Sequence, residues 1–215
     1  MTMPPDALRS ALQFRYATKR FDPTRKLDAA EWDVLIDSLV FSPSSFGLQP
    51  WRFFTVGNPE IRARLREVSW DQPQLTDADR LVVIASRTDM TDADIDAWIG
   101  CLAQSQGKSP NELAAYRGMI DGFVGPLNAA AKQDWNMRQC YIALGQLMAS
   151  AAVMGIDTCP LEGIDKAAYD RILGLENSGY TTAVACAVGH RSADDKYAAA
   201  PKARFARSQV VSEIG

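Results

Sequence analysis

Histidine is nearly absent from this 215-residue chain, with His190 its only example. One imidazole leaves little scope for a Ser-His-Asp arrangement, and no G-x-S-x-G turn is present to carry a serine nucleophile. Cysteine is sparse and scattered: Cys101, Cys140, Cys159 and Cys186 form no C-x-x-C pair. That argues against zinc and against a disulfide scaffold, and suits a reducing compartment. No Walker A sequence occurs, which excludes triphosphate hydrolysis on a P-loop. Gly118, Gly122 and Gly125 do not fit G-x-G-x-x-G and follow no strand, which argues against a Rossmann nicotinamide site. Excess positive charge is missing too. With 23 Lys and Arg against 26 Asp and Glu, a net charge of −3 and a pI near 5.2, nothing global favours nucleic acid or anionic membrane. Any basic site must be local.

The N-terminus, MTMPPDALRS, has prolines and an aspartate where a signal peptide needs an apolar run, so the expected location is the cytoplasm. The uncharged run Gln139 to Ile156 reaches the lower length for crossing a hydrocarbon layer of roughly 30 Å. Gln146 and Ser150 interrupt it and no anchor clusters flank it, so it reads as a fully buried central helix ending at Gly155.

What is present is clear punctuation. Asp28 and Glu31 have capping-box spacing ahead of Trp32, Leu35, Ile36, Leu39 and Val40, which predicts an amphipathic helix ending near Ser42-Pro43. Trp51–Val56 reads as a strand, and Asn58-Pro59 opens a helix to about Val68. Arg80–Ser86 reads as a buried strand, a helix follows Thr91, and Ser109 to Glu112 forms a second capping box for a helix to about Ile120. Asp121 to Trp135 reads as a loop plus the start of the long helix. Then come a short strand at Ile156–Pro160, a helix capped by Asp165, a strong strand from Tyr180 to Arg191 and an edge strand in the last eight residues. Helices and strands alternate unevenly, with no repeat and no linker. The expected fold class is α+β, a mixed sheet flanked by long helices, in one domain spanning 1–215.

Two kinds of segment stand out as a site. RYATKRF supplies Arg15, Lys19 and Arg20, and PKARF supplies Lys202 and Arg204; together they have the chemistry to clamp a dianionic phosphate. Spacing alone does not bring residue 15 near residue 204. The other is FSPSSFGLQPWRFF, Phe41 to Phe54, whose hydroxyls, glycine and Gln-Pro-Trp exceed what a connecting loop needs.

In that order RYATKRFD, SPSSFGLQPWRF, GIDTCPLEG and VGHRSADD…APKARF resemble the FMN-dependent nitroreductase family, bacterial NAD(P)H-dependent oxidoreductases, through nearly the whole chain. The resemblance implies an intertwined homodimer with FMN at the interface and a C-terminal tail embracing the partner. It places Arg15, Tyr16, Ala17, Lys19, Lys202 and Arg204 at the phosphate and ribityl end, and Pro43, Ser44, Ser45 and Gly47 from the other subunit. Pro160, Leu161, Glu162 and Gly163 would lie against the isoalloxazine, with the Glu162 N–H directed at N5. Gly47 would let the backbone come close to the cofactor.

The chain departs from the family's pattern at three positions. Asp71 stands where an asparagine is common, and a carboxylate cannot donate to a flavin carbonyl. It either accepts from flavin N3–H or turns away and leaves the contact to Gln72 or Gln74. An ionised Asp71 near the flavin would also lower its potential. Ala17 replaces a common serine, and Gly47 a common polar residue. The implied activity is hydride transfer from NAD(P)H to nitroaromatics, quinones or similar small electron-poor acceptors by ping-pong turnover. The alternatives are a structural or sensory FMN protein without nicotinamide turnover, and a flavin-free helical dimerisation module. Phe123 and Tyr116 form either an aromatic lid or ordinary packing, while Trp98, Trp135, Leu144, Leu147 and Met148 read as core or interface.

Overall fold

A computed structural model describes residues 2–215. Along the chain come α1 (Pro5–Phe14), α2 (Ala29–Val40), β1 (Trp51–Thr55), α3 (Pro59–Glu67), the one-turn α4 (Gln74–Asp77) and β2 (Arg80–Arg87). They are followed by α5 (Asp92–Gln106), α6 (Ala114–Val124), α7 (Ala129–Val153), β3 (Asp157–Leu161), α8 (Lys166–Leu173), β4 (Tyr180–Gly189) and the one-turn α9 (Arg207–Val210). The start signals act as the sequence predicts. Asp28 Oδ1 accepts from Glu31 N at 2.7 Å while Glu31 Oε2 accepts from Asp28 N at 3.0 Å, and Asn58 and Asp165 cap α3 and α8. Each retires N–H groups that a helix start otherwise leaves unmade.

The strands form one sheet in the order β1-β2-β4-β3, and all three pairings are antiparallel. Its mixed character comes from a lone parallel bridge, Ala17 with Thr158, which lays the segment after α1 along the outer edge of β3. Side chains alternate with the strand period of two. Val82, Ile84, Val184 and Cys186 meet Leu35, Leu39, Leu144 and Leu147 of α2 and α7. Leu81, Val83, Ala185 and Ala187 meet Leu65, Leu75 and Tyr169 of α3, α4 and α8. The sheet is therefore a dry middle layer, and truncating one of its buried leucines to alanine costs about 2–5 kcal/mol. A third cluster joins Leu48 to Ile95, Ile99, Ile120 and Val124, seating the loop before β1 on α5 and α6.

Four expectations need correction. The stretch after Asp121 is mostly helical: α6 runs to Val124 because that residue packs in the third cluster, and Asn128, accepting from Ala131 N at 2.9 Å, starts α7. The Ser109–Glu112 box closes, but its first turn is 3₁₀ and α6 begins only at Ala114. The long helix is not buried all round. Cys140, Ala143, Leu147 and Ala151 are buried, whereas Ile142 and Val153 stay exposed because nothing among the described residues covers that stripe. No strand forms in the last eight residues, where Val210, Val211 and Ile214 are exposed and lack a ladder partner. Among the described residues no helix is long and apolar enough to cross a membrane.

Candidate functional site

The segment leaving α1 is fixed by groups from the far end of the chain. Thr18 N donates to Thr158 O at 3.2 Å, continuing the bridge at Ala17. Asp195 then ties it down: its Oδ2 accepts from Lys19 N at 2.8 Å, Tyr16 Oη at 2.9 Å and Arg20 N at 3.0 Å, and its Oδ1 from Tyr197 N at 3.0 Å. Burial opposes ionisation of this carboxyl, which is only 3% exposed, but donation from the Arg20, Lys19 and Tyr197 N–H groups outweighs it and holds its pKa below the ordinary range. Burial, and then the bond to Asp195, push Tyr16 up to about 12. A second anchor lies beside it. Arg191 donates through its backbone N and its Nε to Asp157, each at 2.8 Å, while its guanidinium lies 4.1 Å from the Phe14 ring centroid and 4.6 Å from that of Tyr16. Removing one partner of a buried pair of this kind costs about 3–5 kcal/mol.

This frame shapes a cleft of about 460 Å³ whose lining includes Arg15, Tyr16, Ala17, Lys19, Lys202 and Arg204. The volume falls in the usual range for small-molecule sites, about 300–1,000 Å³. The chain thus brings together the two basic clusters that sequence spacing left apart. Lys202 Nζ donates to Leu12 O at 3.2 Å and to Arg15 O. Desolvation, followed by repulsion from Arg204 and Arg15, pulls its pKa below the ordinary lysine value. Among the described residues no carboxylate lines the cleft to offset these cations. Arg15 Nε is buried without an acceptor, and an unmade buried donor costs about 1–3 kcal/mol. A phosphate-bearing group fits such a site, because it supplies both the missing acceptor and the missing charge.

From this cleft the remaining candidates follow the line of β3. Cys159 lies beside both Lys19 and Gln74: its thiol is pushed up by burial, the Lys19 charge opposes this, and Gln74 Nε2 approaches its Sγ at 3.9 Å. Gln74 Oε1 is buried with no partner. Pro160 and Leu161 finish the strand; Glu162 accepts from the Tyr141 hydroxyl, and Gly163 O accepts from Gln72 Nε2 at 3.2 Å. Burial and the Glu162 contact push Tyr141 upward. A Cβ on Gly163 would come within 2.6 Å of the Trp70 ring, so a larger residue there would push the exposed indole aside. Asp71 is directed to Arg66, whose Nε lies 2.7 Å from its Oδ1, so its charge is offset where it stands.

The loop before β1 lies apart, and Pro43, Ser44, Ser45 and Gly47 do not line the basic cleft. Ser44 Oγ accepts from Gln49 N at 2.9 Å, Ser45 N donates to Gln139 Oε1 at 2.9 Å, and the Tyr116 hydroxyl donates to Phe46 O at 2.9 Å. Phe46 and Gln49 have φ of 53° and 47°, a conformation that costs each non-glycine residue of order 1–3 kcal/mol. Gly47, at φ 70°, has a reason of its own: a Cβ there would lie 2.5 Å from the Trp98 ring. Phe123 stands 5.4 Å from both Phe46 and Trp135, packing that joins the loop to α6 and α7. Sequence reasoning missed Asp195, Asp157, Arg191, Arg66 and Tyr141. Arg191 and Asp195 lie in the VGHRSADD segment, but the partner of Asp195, Lys19, is 176 residues away, so the segment alone does not show what they hold.

Comparison with known proteins relates nearly the whole chain to others. The pattern described as "Nitroreductase family" matches residues 12–190. The oxygen-insensitive NAD(P)H nitroreductase of Salmonella typhimurium is 32% identical over 223 residues, covering 97% of this chain and 100% of that protein. A nitroreductase-like protein from Streptococcus mutans superposes with a TM-score of 0.85 at 22% identity, over 99% of this chain and 100% of that one. A chain from Exiguobacterium sibiricum, solved in complex with FMN, superposes with a TM-score of 0.81 at 22% identity, over 100% and 99%. At these identities the two structures show a shared fold.

Proposed function

Since the chain belongs to the nitroreductase family, we propose that it is an FMN-dependent oxidoreductase, one domain over 1–215, that carries hydride from NAD(P)H to nitroaromatics, quinones or similar electron-poor acceptors. One observation carries the cofactor assignment: Arg15, Lys19, Lys202 and Arg204 converge on a cleft free of carboxylates, in which the buried Arg15 Nε has no acceptor. When bound, FMN supplies two-electron chemistry, taking hydride from a nicotinamide and giving it to an acceptor.

The chain's own residues do the rest. Arg15, Lys19, Lys202 and Arg204 bind the phosphate and ribityl end with charge-assisted bonds, and Tyr16 and Ala17 flank them. Pro160, Leu161, Glu162 and Gly163 carry the ring system, with Tyr141 holding the Glu162 carboxylate in place. Gln74 offers a buried amide whose oxygen lacks a partner. A donor or positive charge beside the pyrimidine edge favours the reduced state, which suits an amide better than a free carboxylate. One opening serves both substrates in turn, which gives ping-pong turnover.

The site is completed by a second copy, whose Pro43, Ser44, Ser45 and Gly47 reach the cleft. The apolar surface left bare in one chain supports this homodimer. Helix α1 has no buried residue, with Leu8 and Leu12 exposed, and Ile142, Val153, Phe205 and Ile214 are bare as well. The deciding measurement is addition of NADH or NADPH to the purified yellow protein without oxygen. Loss of the flavin band within seconds is expected. A band that persists would leave a flavin protein without nicotinamide turnover, and a colourless protein that takes up no FMN would remove the cofactor assignment.

A further inference from the structure

Two consecutive non-glycine residues with left-handed backbone occur once among the described residues, at Trp70 (φ 54°) and Asp71 (φ 52°). Such a pair persists only where its surroundings hold it. Burial does not, because Trp70 is 84% exposed. What holds it is the turn's own backbone bond, Gln72 N donating to Ser69 O at 3.1 Å, together with contacts around one guanidinium. Arg66, in the last turn of α3, donates through Nε to Asp71 Oδ1 at 2.7 Å and through a terminal nitrogen to Thr76 Oγ1 at 3.1 Å, so it spans the turn. On the turn's other side Gln72 donates to Gly163 O, and the Trp70 ring rests on Gly163 itself.

We propose that Arg66 is a positioning residue that keeps the Asp71 carboxylate turned away from the cofactor edge while Gln72 and Trp70 stay seated on Gly163. The inference rests on the FMN reading above. The physical reason is electrostatic. A carboxylate is an acceptor only, and a negative charge released beside a group that must gain electrons opposes its reduction. An ion pair with its acid 80% exposed adds little stability, so what Arg66 contributes is placement of that charge, and its removal leaves the fold intact.

The test compares wild type, Arg66→Ala and the double variant Arg66→Ala with Asp71→Asn. In the flavin-free protein, amide exchange over residues 69–74 is expected to speed up in Arg66→Ala; unchanged exchange overturns the proposal. With FMN added, Arg66→Ala is expected to bind on the order of tenfold more weakly, equivalent to about 1.4 kcal/mol, and to show a more negative midpoint potential. Neutralising Asp71 in the double variant is expected to restore both. A double variant as impaired as Arg66→Ala would mean that the guanidinium only braces the backbone, which also overturns it. If wild type takes up no FMN, the flavin reading fails, and the exchange comparison still decides whether Arg66 latches the turn.

Discussion

Asp195 gathers three donors from the residue 16–20 segment into one carboxylate, so its substitution is read best through pH. Because its folded pKa lies below the ordinary value near 3.9, its contribution is complete above that value and is lost as pH falls through the lowered one. Asp195→Asn is expected to cost about 1.5–3 kcal/mol at pH 7, the range for hydrogen bonds to charged groups. Denaturant titrations at pH 7 and near pH 3 check this: the gap from wild type should narrow in acid. Tyr16 works in the opposite direction. Its raised pKa gives stability that is full below about 10 and fades as pH climbs toward about 12. Residue-level reading of the sequence went furthest where both partners were local. Asp28 and Glu31 sit three apart and announced their box. The need for a glycine at position 47 is legible in the sequence, and the structure supplies a reason that lies on another element: the Trp98 ring fills the space of its missing Cβ.

At the scale of elements, the loop from Pro43 to Pro50 separates two hydroxyls that look equivalent in sequence. Ser44 Oγ is committed to Gln49 N, an anchor for a residue at φ 47°, while Ser45 is held through its backbone N–H. Ser44→Ala is therefore expected to lower stability by about 1 kcal/mol and to reduce flavin retention with it. Ser45→Ala should leave the urea midpoint unchanged and affect only retention. Equal loss of stability in both variants would contradict the assignment. Helix starts were legible because caps are short-range chemistry, and the strands because buried β-branched runs show their period. The loop after Asp121 and the final strand were misread for the opposite reason: whether Val124 extends a helix, or Val210 joins a ladder, depends on what lies across from it.

For the whole molecule, the exposed residues of α1, α7 and the tail are the part of the surface that a single chain leaves unexplained. Deleting residues 206–215 keeps Lys202 and Arg204 but removes Val210 and Ile214. It is expected to weaken the proposed homodimer by at least about tenfold, near 1.4 kcal/mol, as read by sedimentation across a dilution series. A truncated chain that stays dimeric at the same concentrations would assign the interface to the helices alone. The basic cleft has a further consequence, in time. Its walls join Lys19 to Asp195 and Arg15 to Lys202, contacts spanning 176 and 187 residues, and the sheet beneath it is complete only once β4 has entered between β2 and β3. Contacts of that range form late in folding. On the ribosome, the emerging N-terminal half has strands but no site, and the basic residues near position 15 wait for nearly the whole protein to be synthesised. Closure of the basic cleft belongs to the finished chain, so a nascent chain stalled before Arg191 would hold most of the core but neither Lys202 nor Arg204.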